Sequence, residues 1–433
     1  MVKVKNIFLR KKILIYGLGK SGISTFNFLK NKAKVYLFDD NSKINKKLIN
    51  IKKIEKKEFD FIIISPGIDI SNCKLSKFLK KNFLKIYTDL DVFYSFYKKN
   101  MCITITGTNG KSTTAKILYD VLFDQKKDVR LVGNIGNPIL SEKNIKKKTI
   151  FVIEASSYQL DYSRLFTSKY AVILNISADH IERHKSLKNY VNAKFKLLDS
   201  QIKGCFSYVK KGNEYIEKKI KSKKFKCKII KVNTKKLNEF IKNIDNEYFL
   251  SEANQENLSF VIEISKKLNL KKDVLIKSIR NFKGLKYRQQ IIFKNENLTI
   301  INDSKSTSFS SSISLLKVNS NIFWLLGGIH KKGDKFNLSK KYFKNIRAFI
   351  FGKDKKFFNK KLFNKIEYRN FNNLKDALNK ILKIAKNKKF THQTILFSPC
   401  AASFDSFKNF EDRGYYFNNL IKKYSNEIQK ISL

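Results

Sequence analysis

The sequence predicts an α/β protein of three domains. Strand-like apolar runs alternate with helical patterns almost throughout. Glycine-rich turns follow two of those strands, at Gly17–Gly22 and at Thr106–Thr113. The 433 residues are also too many for one ordinary core.

The expected divisions are 1–95, 96–284 and 285–433, with joints near "YSFYKKN" (94–100) and "FKGLKYR" (282–288). In the first, "KILIYGLGKSG", "AKVYLFDD" and "FDFIIISPGI" read as strands of a Rossmann-like domain. The basic-then-apolar N-terminus runs straight into the glycine turn without a small-residue cleavage pattern, so it reads as the first strand. In the second, "CITITG", "TIFVIEAS" and "YAVILNIS" suit the parallel sheet of a P-loop-type ATPase domain. Its lysine-dense stretch 209–243 reads as a decorated surface. In the third, "LTIINDS", "IFWLLGG", "RAFIFG" and "QTILFSP" suit another Rossmann-like sheet.

Composition bounds the function. No apolar run approaches the roughly 20 residues of a spanning helix. The five cysteines have no metal-type spacing and read as reduced cytoplasmic thiols. A net charge of +54 invites a nucleic-acid reading. Lysine is spread along the whole chain, however, and isoleucine, asparagine and phenylalanine are also abundant, so compositional drift explains it better. Such a field still attracts anionic substrates.

In "TGTNGKST" the glycines let backbone N–H groups approach phosphate oxygens, and the following helix N-terminus adds donors. Lys111 would neutralise β/γ-phosphates and the Ser112 or Thr113 hydroxyl would ligate Mg²⁺. Ile105 stands where a full Walker A pattern wants glycine. Glu154 closes the next strand, and Asp179 and His180 follow another. In open parallel sheets ligands sit at such ends, so Lys111, Glu154 and His180 are expected to converge on one nucleotide–metal site. Gly17, Gly19 and Gly22, with Asp39 and Asp40 about 20 residues on, match a dinucleotide fingerprint. It fits NAD and a nucleotide-sugar equally. In the third domain, Asp303, Ser304, Lys305 and Thr307, then Lys331 and Lys332, then Ser403, Phe404 and Phe410 follow strands and suit a small dicarboxylate.

With these segments assembled, the chain closely resembles the Mur ligase family over essentially its whole length. The resemblance rests on "GLGKSG", "SPGI", "TGTNGKST", "GNIG", "EASSYQL", "NISADHIERH", "NAKFKLL", "NDSKSTS", "LLGGIHKKGDKF" and "SPCAASFDSFKNFEDRG". Of these the last segment is the most specific for the member that adds D-glutamate, whereas the phosphate loop is shared by the wider family. The resemblance implies an ATP-dependent ligase of cytoplasmic peptidoglycan precursor synthesis, working through an acyl phosphate on a UDP-muramoyl-alanine substrate. Gly17, Gly19, Lys20, Ser21, Asp39, Asp40, Ser65, Gly67, Asn134 and His180 would bind that substrate. ATP would be held by Gly107, Thr108, Asn109, Gly110, Lys111, Ser112, Thr113, Asn254, Arg288 and Asp303. D-Glutamate would meet Thr307, Lys331, Ser403, Phe404 and Phe410. Two Mg²⁺ ions are implied, with Ser112, Glu154, His180 and Lys194 as ligands. Lys194, by itself an ordinary helix-surface lysine, matches the one that becomes an N-carboxylated ligand. Catalysis would rest on Lys111, Glu154, His180 and Lys194.

Two segments depart from the family pattern. His-Asn-x-x-Asn is here "ANQEN", with Ala253, and His-Arg-x-Glu is "YRQQ", with Tyr287 and Gln290. The expected partners are small molecules only, with no nucleic acid, no membrane insertion and a monomeric chain. Competing readings are a sibling ligase using another amino acid, a nicotinamide oxidoreductase built on Gly17–Gly22, and a nucleic-acid-stimulated ATPase.

Overall fold

A computed structural model describes residues 6–41, 47–234, 244–331, 333–386 and 392–432. Lys332 lies outside them. Three sheets carry the chain. The first has order β2-β1-β3-β4, from β1 (Lys12–Tyr16), β2 (Lys34–Phe38), β3 (Phe61–Ile64) and β4 (Ile86–Tyr87). All of its pairings are parallel.

The second sheet has order β10-β9-β8-β5-β7-β6 and is again parallel. Its strands are β5 (Met101–Thr106), β6 (Val129–Gly133), β7 (Ile150–Glu154), β8 (Tyr170–Ile173), β9 (Phe206–Lys210) and β10 (Lys228–Val232). The third runs β11-β12-β16-β13-β14-β15, from β11 (Gln290–Lys294), β12 (Leu298–Asn302), β13 (Ile322–Gly327), β14 (Ile346–Phe351), β15 (Glu367–Asn370) and β16 (Gln393–Phe397). Only β11 is antiparallel to its neighbour. The sequence expectation of an α/β fold with parallel sheets holds.

The strand sequences explain this. Central strands such as "IFVIE" and "IFWLLG" are buried almost throughout, because helices cover both faces of a parallel sheet and leave no polar side to alternate with. Helix Lys111–Asp124 buries Ala115, Ile117, Leu118, Val121 and Leu122 along one stripe. Each of the buried Ile, Leu and Val side chains contributes about 1.5–3 kcal/mol.

The first two sheets fall in one compact unit, Met1–Asp245 with Gln255–Arg280. The third falls in another, Asn246–Asn254 with Asn281–Leu433. The short segment Asn246–Asn254 therefore belongs with the third sheet, although it precedes the expected joint. Local contacts account for that. Asn246 Nδ2 donates to the Phe282 carbonyl at 3.0 Å, and Tyr248 and Phe249 pack against the Phe282 ring.

Candidate functional site

In the second sheet, β5, β7 and β8 end side by side, and their loops assemble a glycine-containing cradle at that edge. Gly110 adopts φ 85, and a side chain there would press into Asn257, whose Oδ1 would lie 2.1 Å from its Cβ. The loop is further pinned by Asn175, whose carbonyl accepts from Thr108 N and whose Oδ1 accepts from Asn109 N, both at 2.9 Å. The Lys111 ammonium folds back onto the loop, donating to the carbonyls of Gly107 (2.9 Å) and Thr108 (2.8 Å).

Just inside the helix start, the Ser112 hydroxyl donates to Glu154 Oε2 at 2.6 Å, and Asn134 Nδ2 donates to Glu154 Oε1 at 3.0 Å. Glu154 and Ser112 are buried. Three of the expected residues, from "GTNGKST", "EASS" and "GNIG", thus meet on one carboxylate. Among the described residues, no three His, Cys, Asp or Glu side chains group as a ready metal site. A hydroxyl and a carboxylate nevertheless form an oxygen pair of the kind a small hard cation takes.

Lys194 is the sharpest result. It lies in helix Leu187–Asp199 but is 1% exposed, so it is no surface lysine. Its Nζ donates to the Gly107 carbonyl at 2.8 Å and sits 4.5 Å over the Tyr190 ring. Burial, then the neighbouring Lys111 charge, hold this amine well below its ordinary pKa, against the opposite pull of Asp179 and Glu154. Tyr190 in turn shares a 3.2 Å hydrogen bond with the Thr108 hydroxyl. His180 takes a left-handed backbone (φ 55) at the start of Ile181–His184. Its ring lies 3.5 Å from Asp179, 3.6 Å from Glu182 and beside Tyr158 and Tyr190.

The first sheet offers a second concavity. Gly17 takes φ 91, and a Cβ at Gly22 would lie 1.8 Å from the Gly17 carbonyl, so both glycines are demanded by the turn itself. Gly19 and Gly67 instead have open space where a side chain would stand. Asp39 is committed to the turn, accepting from the backbone N–H groups of Leu18 (2.5 Å) and Asn41 (2.8 Å). Asp40 accepts from the Tyr16 hydroxyl at 2.7 Å. Ser65 donates to the Gly17 carbonyl at 2.6 Å. Ser21 bonds to the buried Asp89, which also takes Gln159 Nε2 at 3.3 Å. Lys20 opens the helix that follows the turn. A cavity of about 470 Å³ lies at the end of β2, lined by Phe38, Asp39, Asp40, Asn50 and Lys74 among others.

In the second unit, Asp303 is buried, accepting from Ser398 Oγ (2.7 Å) and Gln289 N (3.1 Å). Burial pushes its carboxyl up to about 7, against those hydrogen bonds and the charges of Arg288 and Arg413. Asn254 Nδ2 donates to Gln289 Oε1 (2.9 Å) and the Tyr248 carbonyl (2.7 Å). The departed segment is self-consistent, because Gln290 Oε1 accepts from Tyr287 N at 3.0 Å. The loops after β13 and β16 are zipped by the Ile329–Ala402 bridge, which brings the Lys331 and Ser403 segments alongside. Ser403 is buried, Thr307 and Phe410 are half-buried, and Phe404 is 72% exposed. Lys305 Nζ sits 3.8 Å over the Phe410 ring.

Sequence reasoning missed Asn257, Asn175 and Tyr190, which shape the cradle. Asn257 was detectable in principle, since "ANQEN" places a second asparagine one helical turn after Asn254.

The Mur ligase middle domain family matches residues 105–274. A Rickettsia felis protein named UDP-N-acetylmuramoylalanine–D-glutamate ligase is 33% identical over 98% of this chain and 100% of its own length. Its namesake from Francisella tularensis subsp. novicida is 32% identical, covering 95% of each. Among solved structures, MurF of Thermotoga maritima in complex with ADP aligns over 98% of this chain and 96% of its own, with a TM-score of 0.58 at 12% identity. MurC of the same organism gives 0.53 at 16%, over 96% of this chain and 99% of its own. The structural likenesses give the fold. The end-to-end identity goes further: this chain belongs to the Mur ligases, in the family named UDP-N-acetylmuramoylalanine–D-glutamate ligase.

Proposed function

We propose that this chain joins D-glutamate to the alanyl carboxylate of UDP-N-acetylmuramoyl-L-alanine at the expense of ATP, as a cytoplasmic monomer in peptidoglycan precursor synthesis. The observation that carries the reading is the convergence of Lys111, Glu154 and Lys194 around the Gly107–Thr113 loop. Residues 1–95 would bind the UDP moiety, 96–284 the triphosphate and 285–433 the amino acid. Among the described residues no helix is long and apolar enough to cross a membrane.

The chemistry follows from the residues. A carboxylate is a poor electrophile, so its oxygen first attacks the γ-phosphorus and ADP leaves. The amine of D-glutamate then attacks the acyl carbon of that acyl phosphate. Phosphate departs, and the amine loses a proton as the amide forms. Lys111, now spent on loop carbonyls, would turn to phosphate oxygens, and the loop N–H groups would hold them. Bound Mg²⁺, two ions in this reading, would neutralise the transferring charge. Glu154, Ser112 and His180 would help to hold them. Lys194, kept as a neutral amine, would add its nitrogen to CO₂ and release a proton, becoming a carbamate that offers further oxygen ligands.

On the first sheet, the open faces of Gly19 and Gly67 and the cavity at the end of β2 support uridine diphosphate binding with Lys20, Ser21, Asp39, Asp40 and Ser65. In the second unit, Asn254, Arg288 and Asp303 would hold the nucleoside, and Thr307, Lys331, Ser403, Phe404 and Phe410 the amino acid. Ser403→Ala should raise the KM for D-glutamate about 10-fold, the scale of one lost hydrogen bond to a charged group. The KM for the UDP substrate should stay put, and the reverse pattern would move the amino-acid site elsewhere. The function itself is tested by mass spectrometry of the nucleotide product. Gain of one glutamyl residue with one ADP formed per product supports it. ADP without coupled product contradicts it.

A further inference from the structure

The segment that carries His180 also carries Arg183, which none of the roles above uses. Its side chain is only 11% exposed and leaves the loops of the second sheet for the loop after β3 in the first. Nη2 donates to the Ile68 carbonyl, and Nε lies 3.9 Å from Asp69 Oδ1. The guanidinium rests 5.0 Å over the Tyr158 ring and 5.9 Å from that of Tyr162. Tyr158 then touches His180 (5.1 Å) and stacks on His184 (5.5 Å), and the buried His184 Nε2 pairs with the Ser157 hydroxyl at 3.0 Å.

A continuous set of contacts therefore runs from Ile68 and Asp69, in the loop that begins at Ser65, through Arg183 and Tyr158, to His180. The clasped loop is the same one whose Ser65 holds the Gly17 carbonyl. Its displacement would disturb the glycine turn as well. The guanidinium lies over the rings of Tyr158 and Tyr162, neighbours on one helix, while it bonds to a backbone carbonyl of the other loop. That arrangement fixes direction as well as distance.

We propose that Arg183 is a positioning residue that holds the UDP-substrate loops of the first sheet in register with the phosphoryl-transfer loops of the second. This rests on the assignment of those loops to the UDP substrate made above. Bare UDP reaches only the first sheet, so its binding should not depend on the register. Delivery of the distant carboxylate should.

Arg183→Lys keeps a cation near Asp69 but loses the planar fork and the two-ring packing. It should lower kcat by about 10²-fold, the scale of a misplacement near 1 Å. UDP affinity by calorimetry should stay within about twofold, a change too small to account for a loss on that scale. Arg183→Ala should do at least as much, and Asp69→Asn should give a smaller loss in the same direction, which keeps the test alive if the alanine variant does not fold. A folded Arg183→Lys enzyme with unchanged kcat would overturn the proposal. So would UDP affinity falling in step with kcat, which would make Arg183 part of nucleotide binding. Failure of wild-type ligation altogether would instead overturn the reading on which it rests.

Discussion

Lys194→Ala is expected to lower turnover by about 10³-fold, the upper range for removing one preorganised electrostatic group. Small carboxylates such as formate should restore part of it. The side chain is buried, its amine is bonded to the Gly107 carbonyl, and its cation is disfavoured by burial and by Lys111. Such an environment destabilises an ammonium and favours a group that can become an anion beside a cation.

The sign of the pH dependence follows. A lysine held below its ordinary 10.5 destabilises the fold most at low pH, and that penalty begins to fall as pH rises past the folded value and is gone only above 10.5. The neutral amine, and with it the carbamate, should therefore increase with pH and with bicarbonate. Carbon-13 bicarbonate labelling read by NMR checks this directly. Full activity in the alanine variant, or no carbamate signal at any pH, would remove the role.

Glu154→Gln should lower kcat by about 10²–10³-fold with little change in the thermal midpoint. The amide keeps the shape of the carboxylate. Its oxygen can accept from Asn134 or Ser112, the two donors that reach Glu154 at 3.0 and 2.6 Å. What is lost is the negative charge that acts on Lys194, and with it the hard ligand proposed for a divalent ion. The Mg²⁺ concentration needed for half-maximal rate should rise in the same variant. Unchanged kinetics would mean that Glu154 merely braces Ser112 and Asn134.

Much of this was legible in the sequence. Lys111 follows from loop spacing and Glu154 from its place at the end of an apolar run, because parallel strands deliver their C-terminal residues to one edge. Lys194 was legible only by resemblance, since nothing in "NAKFKLL" says which of its two lysines points inward. Asp39 has the spacing of a ribose-binding acid, yet its oxygens hold the glycine turn, and spacing alone does not distinguish these uses. Asn257 and Tyr190 escaped because their partners, Gly110 and Thr108, lie far away in sequence. Tyr287 and Gln290 departed from the family pattern, and the fold absorbs the change within one turn, where the Gln290 amide oxygen receives the Tyr287 N–H.

The central claim concerns the acid and the amine that the phosphate loop serves. The most direct measurement is phosphate release by the purified protein with Mg-ATP and UDP-N-acetylmuramoyl-L-alanine, comparing D-glutamate, L-glutamate and L-lysine side by side. Release that requires D-glutamate is the predicted result. Equal release with L-glutamate or L-lysine, or release that needs no amino acid, would contradict it.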